Sequence, residues 1–410
     1  MLRPQPLGIF PLPAGYLVLP PVAESVALQA DLLRGHIPDA APPELIFYLH
    51  ALHGDAERAA QTISGDTPED RYNRFVLSGD LDQYLVLRTQ LQGDLGLLLA
   101  IVAYTLGYSD ELPDPGSADG ELCALALLTH AAAALERQDG DAAMGLLKQA
   151  ITAAQPASPL FAAQLLSNLA ETHQRFIGND AMVLQHLRTA EQLLATSGLV
   201  ELRAQIALNL GLVYHDMAQG RREVLLEAVK YYQEALQIFT RDNAPEWYAL
   251  AQNNLALAYL AMPLTEASDQ LRKGIAVQSL REALKVYTPE THPDQWASAQ
   301  LNLANALQHL PSTNPQNHLV EAVELYEAVL AVRDRDSDPL GYGRVLANQG
   351  NALAHLGIFV HAKPKLQEAV RVFTAYGDGE AAMALREILA EIERQEQARR
   401  EPEAARVVSG

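Results

Sequence analysis

Pro293-Asp294-Gln295-Trp296-Ala297-Ser298-Ala299-Gln300-Leu301-Asn302-Leu303-Ala304-Asn305-Ala306 decides the fold, because the same register recurs on either side of it. Upstream, the same offsets from a proline carry Pro245, Tyr248, Ala249, Gln252, Asn254, Leu255, Ala256 and Ala258. Downstream they carry Pro339, Tyr342, Gly343, Leu346, Asn348, Gln349, Gly350 and Ala352. Apolar and small residues at helical spacing behind a proline predict a helix, and its repetition predicts stacked units that share one elongated core.

The rest of the composition agrees with helices. Hydrophobic residues make up 49% of the 410 positions and aromatic ones only 6%, an Ala/Leu balance suited to close helix packing rather than to sheets. Fifty acidic residues against 30 basic ones give a net charge of -20, which disfavours nucleic acid and anionic membranes as partners. Cys123 stands alone, so it forms neither an internal disulfide nor a thiolate metal cluster and is expected to be a small core residue in a reducing compartment. Pro4, Pro6, Pro11, Pro13, Pro20 and Pro21 interrupt any signal-peptide helix, and the apolar run at 95–106 is too short to span a bilayer. A cytoplasmic protein is expected.

In chain order, residues 1–21 read as a proline-rich extended arm, disordered or strapped across the first helices. Residues 22–109 read as an atypical helical region in which Thr67-Pro68-Glu69-Asp70 has the form of a capped helix start. The Pro/Gly/Asp/Ser-rich stretch 110–120 is the expected domain boundary. Regular helix pairs follow over 121–377, then a capping helix at 378–399 and a flexible tail at 400–410.

The paired helices resemble tetratricopeptide repeats. That resemblance rests on a leucine-small pair in the first helix of each unit (helix A): Leu169-Ala170, Leu210-Gly211, Leu255-Ala256 and Leu303-Ala304, with Gln349-Gly350 in the last copy. The second helix (helix B) carries a small-large-small set at Ala228/Tyr232/Ala235, Ala276/Leu280/Ala283, Ala322/Tyr326/Val329 and Ala362/Leu366/Ala369, and earlier at Ala143/Leu147/Ala150. Successive pairs lie 41, 45, 48 and 46 residues apart, longer than the family's usual spacing of about 34. The excess is assigned to long turns between helices A and B, at 263–274 and 311–318, which is similar to a bacterial long-turn subclass. The resemblance implies an all-α fold: a right-handed α-solenoid of about six hairpins with a concave groove.

One position ahead of each pair stands an asparagine: Asn168, Asn209, Asn254, Asn302 and Asn348, with Asn305 and Asn351 farther along two of the helices. The resemblance implies that this register faces the groove. An amide offers donors and an acceptor, which match a peptide group whatever its side chain. Arg175, Arg344, His309 and His355 are further groove candidates that select side chains or a carboxylate. The competing reading is that the asparagines bond between helices inside the array.

Catalytic signatures are missing: the chain holds no G-x-x-x-x-G-K-[ST], H-E-x-x-H or G-x-S-x-G. His50 and His53 at i, i+3 have no evident third ligand, and His130 and His173 read as hydrogen-bonded structural histidines. No enzyme activity, cofactor or metal is expected. The expected function is a scaffold or adaptor that holds an extended partner polypeptide, with basic residues in the partner favoured by the net charge. An assembly factor or chaperone for a multi-subunit enzyme, metal-containing enzymes included, and a peptide- or small-molecule-sensing regulator are the alternatives. Homo-oligomerisation is left open.

Overall fold

The structure, a computed structural model, describes residues 1–263, 269–311 and 314–408, with side chains described as far as residue 398 apart from that of Asp269. The described residues form nineteen α-helices and no β-strand. They fall into two compact units, Met1–Met217 and Ala218–Gly410, so the division lies well beyond the expected boundary at 110–120.

The first unit contains α1 (Ser25–Leu32), α2 (Ile46–Leu52), α3 (Ala56–Thr62), α4 (Pro68–Ser78), α5 (Leu81–Gln90), α6 (Gly93–Thr105), α7 (Gly120–Glu136), α8 (Gly140–Ala157), α9 (Pro159–Phe176), α10 (Ala181–Leu194) and α11 (Val200–Met217). From α7 to α11 each helix packs against the next. The capping box at α4 forms as the sequence predicts: the Thr67 hydroxyl accepts from the Asp70 N–H at 3.2 Å and the Asp70 carboxylate accepts from the Thr67 N–H at 3.0 Å.

The N-terminal segment is not a loose arm. Leu7, Leu17 and Val18 are wholly buried, a short 3-10 turn forms at Ala14–Tyr16, and Arg3 pairs with Asp119 at 2.7 Å and with Glu121 at 3.0 Å. Gly8 has φ +70°, and a Cβ there would lie 2.3 Å from the Phe161 ring of α9, so the segment approaches that helix with no room for a side chain. Prolines exclude helix from these residues but do not prevent packing.

The second unit contains α12 (Arg222–Leu236), α13 (Pro245–Ala261), α14 (Asp269–Ala283), α15 (Pro293–Gln308), α16 (Pro315–Val332), α17 (Pro339–His355), α18 (Phe359–Ala375) and α19 (Gly379–Val408). The recurring proline sits at the start of α13, α15 and α17, where its missing N–H costs no helical bond. Helices α14 and α16 begin at Asp269 and Pro315, so much of the excess repeat length expected in the turns is B-helix instead; residues 264–268 and 312–313 of those turns lie outside the described residues. The last helix runs to Val408, beyond the expected cap end at 399 and through most of the expected tail.

Successive helices of this unit pack against each other through the small-large-small sets. Ala322, Tyr326 and Val329 are wholly buried, as are Ala362, Leu366 and Ala369. The small residue of helix A is needed for this approach: a Cβ on Gly350 would lie 2.7 Å from Leu366 Cγ. Gln349 stands where the other repeats carry leucine. It is 2% exposed and donates to Glu327 at 2.5 Å, which, ahead of Lys365, holds the Glu327 carboxyl below its ordinary value.

Candidate functional site

The asparagine register is divided between the two units. In the first, Asn168 of α9 and Asn209 of α11 are half-buried, and the Asn209 amide donates to Glu171 of α9 at 3.3 Å. Burial raises the Glu171 carboxyl, against the opposing effect of its bonds to Asn209 and Ser167. Arg175 is exposed, but its guanidinium donates to Gln138 at 3.0 Å and lies over the Phe176 ring.

In the second unit the register brings neighbouring A helices together. The Asn348 amide of α17 donates to Asn305 Oδ1 of α15 at 2.9 Å, and the Tyr326 hydroxyl of α16 donates to the same oxygen at 2.6 Å. The Gln308 amide donates in turn to the Tyr326 hydroxyl, whose titration burial pushes far up, so that it remains a donor. Asn305 and part of Asn348 therefore serve the architecture, as the competing reading held. Asn254 donates to the Leu250 carbonyl of its own helix at 2.8 Å. Asn302 and Asn351 are half-buried and make no side-chain hydrogen bond among the described residues, so their amides are unspent.

Arg344, one turn ahead of Asn348 on α17, is exposed and has no ion pair or hydrogen bond among the described residues. It opens onto a cleft of about 310 Å³ between α17, α18 and α19, whose apolar walls include Ala347, Phe373, Ala384 and Leu385, with Asn348 alongside. His309 and His355 are exposed at the C-terminal ends of α15 and α17.

The chemistry expected of these amides is already performed inside the chain, at residues that the repeat register did not single out. Asn73 of α4, 1% exposed, accepts from the Val18 N–H at 2.9 Å and donates to the Val18 carbonyl at 2.8 Å. Gln5 does the same at the next residue, accepting from the Leu19 N–H at 2.9 Å and donating to its carbonyl at 3.3 Å. The Tyr48 and Tyr72 hydroxyls donate to the carbonyls of Ala14 and Tyr16, each at 2.9 Å. A helix-borne amide thus pairs with both backbone groups of one residue in a non-helical segment. Asn73 lies in an unrepeated region, so no periodic signal marked it.

The remaining candidates have local partners. The His130 ring bonds the Pro113 carbonyl at 2.8 Å, and His173 bonds Asp180 at 3.1 Å. Trp247 stacks on Phe239, with centroids 5.8 Å apart, and Trp296 packs half-buried against the core of the second unit. Cys123 is half-buried rather than fully buried, and burial raises its thiol. Among the described residues no group of three or more His, Cys, Asp or Glu is placed to hold a metal ion, and no helix is long and apolar enough to cross a membrane.

No protein-family model matches the chain, and no curated protein matches it. Solved structures similar to it include a Rap protein complexed with Competence and Sporulation Factor, at 11% identity and a TM-score of 0.41, covering 86% of this chain and 97% of that one. Aspartyl phosphate phosphatase F from Bacillus subtilis is similar at 11% identity and a TM-score of 0.41, over 88% and 95%. A monomeric mutant of IFIT1 with Gppp-AAAA is similar at 13% identity and a TM-score of 0.35, over 81% and 72%. At such scores the likeness adds nothing to the functional argument, which rests on the chain's own residues.

Proposed function

We propose that this chain is a non-enzymatic scaffold that holds an extended partner polypeptide against the A-helix faces of its repeats, with asparagine side chains bonded to the partner's backbone. The observation that carries the reading is the pair of unspent amides, Asn302 on α15 and Asn351 on α17. They lie on neighbouring helices that the Asn348–Asn305 bond aligns. Asn73 supplies the bonding mode, since it already grips Val18 through both backbone groups. A bond of that kind is independent of the partner's side chains, so Arg344, His309 and His355 are left to discriminate among partners.

The test is affinity capture from native lysate with the wild-type chain and an Asn302→Ala/Asn351→Ala chain in parallel. Neither substitution removes a hydrogen bond made among the described residues, so both proteins should be equally helical. A protein retained by the wild type and lost by the variant supports the reading. Equal retention by both folded chains overturns it.

A further inference from the structure

Net charge describes the whole surface, whereas a partner meets one face of it. On α13, the positions one turn before Asn254, at it, and one and two turns after it are Leu250, Asn254, Leu257 and Ala261. The same positions on α15 are Ser298, Asn302, Asn305 and His309, and on α17 they are Arg344, Asn348, Asn351 and His355. None is acidic, on a chain with 50 carboxylates. The corresponding positions of the first unit include Glu171 and Asp216, so the absence is a property of the second unit.

Within that acid-free face stands Arg344, exposed and without an anionic partner among the described residues, at the mouth of the cleft between α17 and α19. Three other arginines of this unit are, by contrast, paired: Arg281 with Glu321 at 2.8 Å, Arg333 with Asp338 at 3.3 Å and Arg335 with Glu368 at 2.8 Å, whereas Arg241 is as free as Arg344 among the described residues. The cleft below Arg344 has Phe373 and Leu385 in its walls and no carboxylate. A planar guanidinium beside an apolar hollow matches two features of a ligand at once, a carboxylate for its fork and an aliphatic group for the hollow.

We infer that the second unit selects an extended segment in which an acidic residue adjoins an aliphatic one, the carboxylate paired with Arg344 and the aliphatic side chain seated against Phe373 and Leu385. This rests on the scaffold reading above and reverses the partner charge expected from the net charge. The Asn348 amide borders the same cleft, with one of its two N–H groups engaged by Asn305 and its carbonyl oxygen facing no hydrogen-bond partner among the described residues, where a backbone N–H of the segment can meet it.

The experiment is a synthetic array of equal-length linear peptides whose two central positions vary among Glu, Lys and Asn and among Leu and Ser. The full chain and its Arg344→Gln and Arg344→Glu variants are titrated against it. Because Arg344 is exposed and unpaired, both variants should keep wild-type circular dichroism. Glu-Leu peptides should bind the wild type best and weaken about tenfold or more in Arg344→Gln, the loss expected of one charge-assisted hydrogen bond. Arg344→Glu should transfer the preference to Lys-Leu peptides. Binding without an acid preference, or an unchanged preference in Arg344→Glu, overturns this inference and leaves the scaffold reading standing. Failure of every peptide to bind the wild type overturns both.

Discussion

Replacing Asn73 tests the amide-on-backbone contact where its geometry is fully defined. Val18 is wholly buried, and among the described residues both of its backbone groups are paired only through Asn73. Asn73→Leu keeps much of the side-chain volume but leaves one N–H and one carbonyl without partners. At about 1–3 kcal/mol for each buried group so stranded, the first unit should lose about 2–6 kcal/mol. Asn73→Asp retains the acceptor and loses the donor at neutral pH. A carboxyl buried there titrates high, so acid restores an O–H donor for the Val18 carbonyl, and the defect should shrink as pH falls. Urea unfolding resolves the effect, because Trp247 and Trp296, the only tryptophans of the chain, both lie in the second unit. Fluorescence therefore follows that unit, while circular dichroism follows both. The shift should appear in the dichroism transition that fluorescence does not report. An Asn73→Leu chain within about 0.5 kcal/mol of wild type, the range of ordinary surface changes, would refute the reasoning.

Three further outcomes follow from the packing and titration of the two units. Gly350→Val should destabilise the second unit by about 1–3 kcal/mol through overpacking against Leu366, read as an earlier fluorescence midpoint in urea. Thr67→Ala removes the capping-box hydroxyl of α4 and should cost the first unit about 1 kcal/mol by dichroism. Burial, then the nearby His173 and Lys148, holds the His186 imidazole below its ordinary value, and burial does the same for His215. Stability from these neutral rings is complete above about pH 6.5 and is lost as pH falls through their depressed folded-state values. His186→Gln should therefore flatten the decline of first-unit stability between neutral and mildly acid pH, and an unchanged slope would speak against the assignment.

The repeat was legible because its constraint is periodic: a proline that tolerates a missing N–H, a small residue where helices touch, and an amide two places before it. Its boundaries were less so. Residues 269–274, Asp-Gln-Leu-Arg-Lys-Gly, carry too little apolar pattern to distinguish helix from turn, yet the structure places them in α14. Whether the N-terminal segment is disordered or strapped across helices was not legible for a related reason. Its prolines state which backbone conformation is excluded, whereas the burial of Leu7, Leu17 and Val18 depends on helices far along the chain. At the candidate site the asparagine positions were visible in the sequence, but not which amides are spent. That depends on Tyr326 and Asn348 converging on Asn305, a meeting of three helices.

The central claim, that asparagine amides of the second unit read a partner's backbone, is tested most directly with a linear peptide selected from the array and a scan of its N-methylated analogues. Methylation removes one backbone donor at a time and leaves every side chain in place. The account predicts weakened binding at alternate residues of the peptide, as one edge of an extended chain faces the helices, and no further loss from those analogues in the Asn302→Ala/Asn351→Ala chain. Undiminished binding by every analogue would contradict it, since recognition would then rest on side chains alone.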